Sequence, residues 1–244
     1  MIVIVGETHD DILYYDSVLA NKKEITILDK YKVSVGTIFS QDALIASDLF
    51  SSSLASAILM NILDNYFVDL IISVGRCMAV SSKIKNGDIV VSKKVIDANV
   101  DLSMFDNVVT GQIPGFERDF LVQDDIIGYI CKGLERRISI NYFIGTYLST
   151  NNMTEDFCNH LIERKEAFSL QNDLIVIDQN SAGVAVTSQL KSVPFISVKV
   201  VENNLSNANN LASYVDVLDK YIDLGKAVIS TINDISRSDI LEGD

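Results

Sequence analysis

Short apolar runs alternate with longer amphipathic segments along the whole chain of 244 residues. Each short run has the length of a strand buried on both faces, and each longer segment has the apolar spacing of a helix. This alternation is typical of α/β proteins with largely parallel strands. The predicted strands are Ile2 to Val5, Glu24 to Leu28, Ala43 to Ala46, Val68 to Val74, Asp88 to Ala98, Asn141 to Leu148, Leu174 to Ile177 and Phe195 to Val201.

The helices predicted between these strands each carry an apolar stripe on one face. They are Leu54 to Leu63, Asp124 to Arg137, Glu155 to Phe168 and Ser181 to Leu190. A last helix is predicted from apolar residues that share one face, namely Leu211, Val215, Leu218, Ile222 and Val228. We interpret that stripe as core packing.

No stretch has the Pro, Gly or Ser enrichment of a linker, so we expect one domain over residues 1–236. Residues 237–244 are expected to form a polar tail. The two prolines, Pro114 and Pro194, stand where loops are expected.

Charge and hydropathy narrow the partners and the compartment. The net charge of −13 repels nucleic-acid phosphates and anionic membrane surfaces. The first residues lack a basic leader region, and no apolar run approaches the ~20 residues that cross a bilayer. Three cysteines without CxxC spacing fit a reduced compartment. We therefore expect a cytoplasmic protein that binds neither nucleic acid nor membrane.

Common motifs for cofactors and nucleophiles are absent from the sequence. It contains no GxGxxG, GxxxxGK[ST], GxSxG or HExxH pattern. The run His9-Asp10-Asp11 follows the first strand, and ordinary capping of a helix explains its acids better than a metal site does. We expect no metal and no organic cofactor.

The order of several segments nevertheless resembles one family over nearly the whole chain, the 5′-methylthioadenosine/S-adenosylhomocysteine nucleosidases of the purine nucleoside phosphorylase superfamily. The resemblance implies a three-layer α/β/α fold around a central mixed sheet, and a homodimer. The segments are Ile2-Val3-Ile4-Val5-Gly6, Gly87-Asp88-Ile89-Val90-Val91-Ser92, Gly111-Gln112-Ile113-Pro114-Gly115 and Val193-Pro194-Phe195.

The implied reaction is cleavage of a purine N-ribosidic bond, which develops a cation-like sugar and an electron-rich base. The resemblance implies that Asp11 activates the water, and its side chain is one methylene shorter than that of the usual Glu. Asn180 stands where a Glu normally binds the ribose hydroxyls, and Asn203 stands where an Asp normally serves the purine. An amide can hold a hydroxyl or a purine edge but cannot supply charge or a proton.

Other positions implied to contact substrate also depart from the family pattern. Arg76 replaces a small Ser near the ribose, and Lys199 replaces an Arg. Phe105 and Pro114 match residues that the family contributes from a neighbouring subunit. The remaining implied contacts are Asp178, Gln179, Met153 and Tyr214.

Loss of a general acid costs about 10²–10⁴ in rate, and loss of an electrostatic stabiliser costs about 10²–10³. Three hypotheses therefore stay open at this point. The first is a nucleosidase with a degraded set of acids. The second is a catalytically silent homologue that binds a purine nucleoside or acts as a partner subunit. The third is a 6-oxopurine nucleoside phosphorylase that uses Asn203 on the base and Arg76 on phosphate.

Overall fold

A computed structural model describes residues 1–105, 107–137, 141–207 and 214–235. These residues form one sheet of ten strands. The strands are β1 (Ile2–Gly6), β2 (Ala20–Ile27), β3 (Tyr31–Ile38), β4 (Gln41–Ala46), β5 (Leu70–Ala79), β6 (Ile89–Asp97), β7 (Phe120–Leu121), β8 (Tyr142–Ser149), β9 (Ile175–Asp178) and β10 (Phe195–Asn204). The helices are α1 (His9–Ser17), α2 (Ser52–Asn65), α3 (Asp124–Glu135), α4 (Glu155–Glu163), α5 (Ser181–Lys191) and α6 (Tyr214–Ile235).

Part of the sheet closes on itself. Its order is β10-β6-β8-β9-β5-β1-β4-β3-β2, with β7 beside β6, and β10 also pairs with β5. Strands β10, β6, β8, β9 and β5 therefore make a closed ring, and β1, β4, β3 and β2 extend from it as an open sheet. The pairing β5–β10 is parallel, whereas β5–β9 and β6–β10 are antiparallel. The predicted mixed α/β fold is confirmed.

The central strands are buried because both of their faces are covered. All five residues of β1 are buried, and so are the first six of β5. Helix α6 packs against α1 and α3, whereas α2 packs against α5. The continuous apolar runs that predicted these strands thus reflect burial on two faces.

The structure departs from the predicted elements in several places, and helix α1 and the two-residue strand β7 were not among those elements. Strand β3 was not predicted, because it belongs to an edge hairpin with β2 in which many side chains remain half-exposed. The helix predicted to reach Phe168 ends at Glu163. Phe168 instead turns inward and is buried in a second core beside Ile96 and Leu148, which outweighs continuation of the helix.

The predicted tail of residues 237–244 lies outside the described residues. Across the described ranges, no helix combines the length and apolarity needed to cross a bilayer.

Candidate active site

Three strands bring polar side chains to the middle of the sheet. Strand β1 ends with Gly6 opposite Val74 of β5, and β10 places Lys199 opposite the next residue, Gly75. Strand β9 runs antiparallel to β5 and ends at Asp178, close to the same point. The residues that follow β1 and β9 therefore meet Lys199 inside the protein.

Lys199 is the centre of a buried polar cluster, which we call the Lys199 cluster. Its Nζ lies 2.6 Å from Oε1 of Glu7, 2.6 Å from Oδ2 of Asp178 and 2.7 Å from Oδ1 of Asn180. Lys199, Asp178 and Asn180 are fully buried, and Glu7 is 2% exposed. An ammonium has three donors, so these three acceptors satisfy it completely.

A line of hydroxyls holds Asp178 in place. Oδ2 of Asp178 accepts hydrogen bonds from the hydroxyl of Ser181 and, at 3.3 Å, from its backbone N–H. The Ser181 hydroxyl also lies 2.7 Å from that of Ser197, whose backbone N–H donates to Oγ of Ser92 at 2.9 Å. Buried carboxylates are stable only with such partners, so this network fixes one wall of the site.

The pKa values of Lys199 and Glu7 differ from their ordinary values. Burial lowers the pKa of Lys199, but the adjacent carboxylates of Asp178 and Glu7 raise it above its ordinary value, so the ammonium stays charged. Burial raises the pKa of Glu7 to about 7, against the opposing effect of Lys199. Glu7 therefore titrates close to neutral pH.

Asp11 lies on the first turn of α1, beside Gly75. Its Oδ2 accepts a hydrogen bond of 2.7 Å from the backbone N–H of Thr8, so the acid does cap this helix. Gly75 has φ +133°, and a Cβ there would lie 3.0 Å from Oδ2 of Asp11. Glycine is thus required at that position both for its φ and for the close approach. Burial raises the pKa of Asp11, which makes it a stronger base than an exposed Asp.

Arg76 points into the site. Its guanidinium lies 3.5 Å from Oδ1 of Asp11 and 3.1 Å from Oε1 of Glu202, and it donates to the Thr8 hydroxyl at 3.1 Å. It also lies 5.9 Å from the ring centre of Tyr221. A long cation therefore spans the region between the water-activating candidate and β10.

Several buried polar atoms around this point have no hydrogen-bond partner within the described part of the chain. They are Oδ1 of Asp11, Nε of Arg76, Oδ1 of Asp178, Nδ2 of Asn180 and Oγ of Ser149. Buried polar atoms without partners are costly and concentrate where ligands or water bind. No group of three or more His, Cys, Asp or Glu residues in the described ranges is arranged to hold a metal ion.

Three further predicted positions lie outside the Lys199 cluster. Asn203 follows a bulge in β10, and its Oδ1 accepts a hydrogen bond from the backbone N–H of Asn204 at 2.8 Å. Gln179 is half-buried, and its backbone carbonyl accepts from the Ser52 hydroxyl at 3.1 Å. Met153 packs against the second core.

The positions expected to serve a neighbouring subunit lie on the surface. Phe105 is 57% exposed, and Pro114 is exposed in a turn. Tyr214 begins α6, and its side chain lies outside the described residues.

Sequence reasoning brought together Asp11, Asp178, Asn180 and Lys199 but missed Glu7. Its signal was an acidic residue directly after a wholly apolar strand, a place where a charged side chain has few ways to reach water.

Comparison with known proteins places this geometry in a family. The family model described as Phosphorylase superfamily matches residues 1–233. A 5′-methylthioadenosine/S-adenosylhomocysteine nucleosidase of Buchnera aphidicola is 27% identical over 180 residues, which cover 74% of this chain and 75% of that protein. A nucleosidase of the same name from Staphylococcus carnosus is 21% identical over 211 residues, covering 86% of this chain and 90% of that protein.

Solved structures show the same fold. The nucleosidase of Neisseria meningitidis in complex with methylthio-immucillin-A has a TM-score of 0.83 at 15% identity, covering 96% of this chain and 98% of that one. The nucleosidase of Colwellia psychrerythraea in complex with adenine has a TM-score of 0.81 at 19% identity, covering 95% of each chain. The resemblance to these nucleosidases is confirmed, and the chain belongs to the phosphorylase superfamily.

Proposed function

We propose that this protein hydrolyses the N-ribosidic bond of a purine nucleoside of the methylthioadenosine/S-adenosylhomocysteine type. The observation that carries the proposal is the convergence of three buried carboxylates, those of Glu7, Asp11 and Asp178, at the centre of a nucleosidase-like fold. The names of the similar proteins support this substrate class.

In the proposed reaction, the C–N bond breaks and its electron pair leaves with the purine. Water forms the new bond to the anomeric carbon while Asp11 accepts its proton. Asn180 has an unpartnered Nδ2 that donates to a ribose hydroxyl. The purine takes its proton from a solvent water, because Asn203 holds the base edge without a proton to give. The proton held by Asp11 then neutralises the hydroxide that this water leaves.

The test is chromatographic detection of free base from methylthioadenosine, S-adenosylhomocysteine, adenosine and inosine, each with and without phosphate. We expect adenine from the thioadenosines without phosphate. Asp11→Asn should lower the rate by about 10²–10⁴. Asp125→Asn is the matched control, since Asp125 is an exposed acid in the first turn of another helix. Absence of base release at high enzyme concentration would refute the proposal.

One observation favours a second candidate, a silent homologue that binds the nucleoside without cleaving it. The guanidinium of Arg76 lies against Asp11, where it competes for the acid and opposes a cationic sugar. This candidate predicts that calorimetry detects binding of methylthioadenosine while no adenine is released.

The phosphorylase alternative has weaker support, because Arg76 already contacts Asp11 and Glu202 and is therefore not a free cation for phosphate. Base release that depends on phosphate would favour it.

We also propose a homodimer in which Phe105 and Pro114 reach the partner's site. Met104 and Phe105 are 84% and 57% exposed in the same loop, and exposed apolar patches mark association surfaces. Light scattering should give a mass near twice 26.9 kDa. A mass of one chain at micromolar concentration would contradict this.

We propose further that residues 1–236 form a single domain in the cytoplasm. The one sheet that runs from β1 to β10 supports a single domain, and limited proteolysis of the intact chain tests it. Three buried cysteines without disulfides support a reducing compartment, which cell fractionation tests.

A further inference from the structure

Glu7 is a second carboxylate on an ammonium that another carboxylate already neutralises. Lys199 is paired with Asp178 at 2.6 Å and with Glu7 at 2.6 Å, and all three side chains are buried. When Glu7 is ionised, the Lys199 cluster carries one positive and two negative charges. A buried excess charge costs folding free energy, so it calls for a functional explanation.

Glu7 also lies beside the amide that faces the ribose in the proposed function. Oε1 of Glu7 and Oδ1 of Asn180 bind the same ammonium, so the two side chains are neighbours. The contact with Lys199 uses only Oε1 of Glu7, and no described residue donates a hydrogen bond to Oε2. One oxygen of this carboxylate is thus held in place, and the other is available to act on a ligand.

The other two carboxylates of the site each have a cation of their own. Oδ2 of Asp178 serves both Lys199 and Ser181. Asp11 lies 3.5 Å from the guanidinium of Arg76, and the proposed reaction uses it as the base for water. Lys199 thus balances the charge of Asp178 and Arg76 that of Asp11, which leaves Glu7 as the carboxylate in excess.

We propose that Glu7 supplies the negative charge that stabilises the cationic sugar, a charge that Asn180 cannot provide. This inference rests on the proposed hydrolysis. Glu7 acts electrostatically across a water-excluded site, where a fixed charge counts for far more than in water.

The titration of Glu7 sets the pH range in which this charge is present. Burial raises the pKa of Glu7 to about 7, so the ionised fraction of this carboxyl rises about tenfold between pH 6 and pH 8. The kcat of the unmodified protein should rise with it over this range. A kcat that stays flat from pH 6 to pH 8 would overturn the inference without any variant.

The variant Glu7→Gln keeps the shape of the side chain and removes its charge. We expect kcat for methylthioadenosine to fall by about 10²–10³, KM to change less than about threefold, and the rise with pH to disappear. The double variant Glu7→Gln/Asn180→Glu places the negative charge at position 180 instead. Its kcat should be at least about tenfold higher than that of Glu7→Gln, whereas a packing defect would give no such recovery. Glu24→Gln, on the exposed β2 strand, is the matched control and should leave kcat and pH profile unchanged.

The outcomes separate this inference from the proposed function. Base release by both the unmodified protein and Glu7→Gln at similar kcat would overturn the role of Glu7 and leave the hydrolysis standing. Absence of release by the unmodified protein would overturn both. Loss of kcat in Glu7→Gln with no recovery in the double variant, at equal melting temperatures, would also overturn the charge-supplying role.

Discussion

Lys199→Met tests the Lys199 cluster by removing the ammonium that three buried side chains share. The substitution keeps the length of the stem but leaves Asp178 and Glu7 buried without their cation. Breaking a buried ion pair on one side costs about 3–5 kcal/mol, a large part of the ~5–15 kcal/mol by which domains are stable. For a chain of this length that free energy corresponds to a fall in melting temperature of about 6–20 °C.

The loss should grow as pH rises. Lys199 lowers the pKa of Glu7, so without it the folded-state pKa of Glu7 lies above 7, while the unfolded value stays at its ordinary 4.5. The folded variant then holds a proton above pH 7 that the folded unmodified protein has released. Relative to the unmodified protein, the variant therefore loses up to about 2 kcal/mol more of unfolding free energy between pH 7 and pH 8.5.

Urea unfolding followed by circular dichroism at pH 6, 7 and 8.5 measures both effects. Lys191→Met is the control, because Lys191 pairs with Asp64 at the surface and its loss should cost less than about 1 kcal/mol. The double variant Lys199→Met/Asp178→Asn should recover part of the loss. A cost below 1 kcal/mol for Lys199→Met, or the same cost at all three pH values, would refute this account of the cluster.

Three further predictions concern other parts of the molecule. Gly183→Ala should lower the free energy of unfolding by about 1–3 kcal/mol, because the new Cβ would lie 2.0 Å from a carbonyl oxygen of α2. Gly128→Ala is the control and should be neutral or stabilising, since a Cβ there would have nothing within 4 Å. Equal urea midpoints for the two variants would contradict this. Arg76→Ser should raise base release about tenfold by freeing Asp11, and an unchanged or lower rate would show that the guanidinium assists the site. Cys77 is buried, and burial raises the pKa of its thiol. A thiol reagent should therefore modify Cys77 only in denaturant, which mass spectrometry of the labelled peptide would show.

The central strands could be predicted because their burial appears directly in the sequence. Strand β1 and the first half of β5 are continuous apolar runs, as strands covered on two faces require. The edge hairpin of β2 and β3 was predicted only in part, as the strand Glu24 to Leu28 that overlaps β2, since exposed and half-exposed strands tolerate polar residues. Closure of β10 onto β5 was also not predictable, because pairing between distant strands leaves no local pattern.

For the site, residue types and their order along the chain indicated which acids, amides and cations were candidates, and the family resemblance assigned them to one site. Sequence alone did not show the direction of Arg76, which the structure directs toward Asp11 and Glu202. It also did not single out Glu7, whose importance depends on its 2.6 Å contact with Lys199, 192 positions away along the chain.

The sequence by itself thus determined the α/β class, the superfamily and most of the polar residues of the candidate site, because burial and chemistry constrain residue types locally. Only the tertiary structure decided which charges share one buried environment. Three carboxylates and two cations have ordinary properties along the chain. The raised pKa values of Glu7 and Lys199 arise because folding excludes water and brings these two side chains together with Asp178.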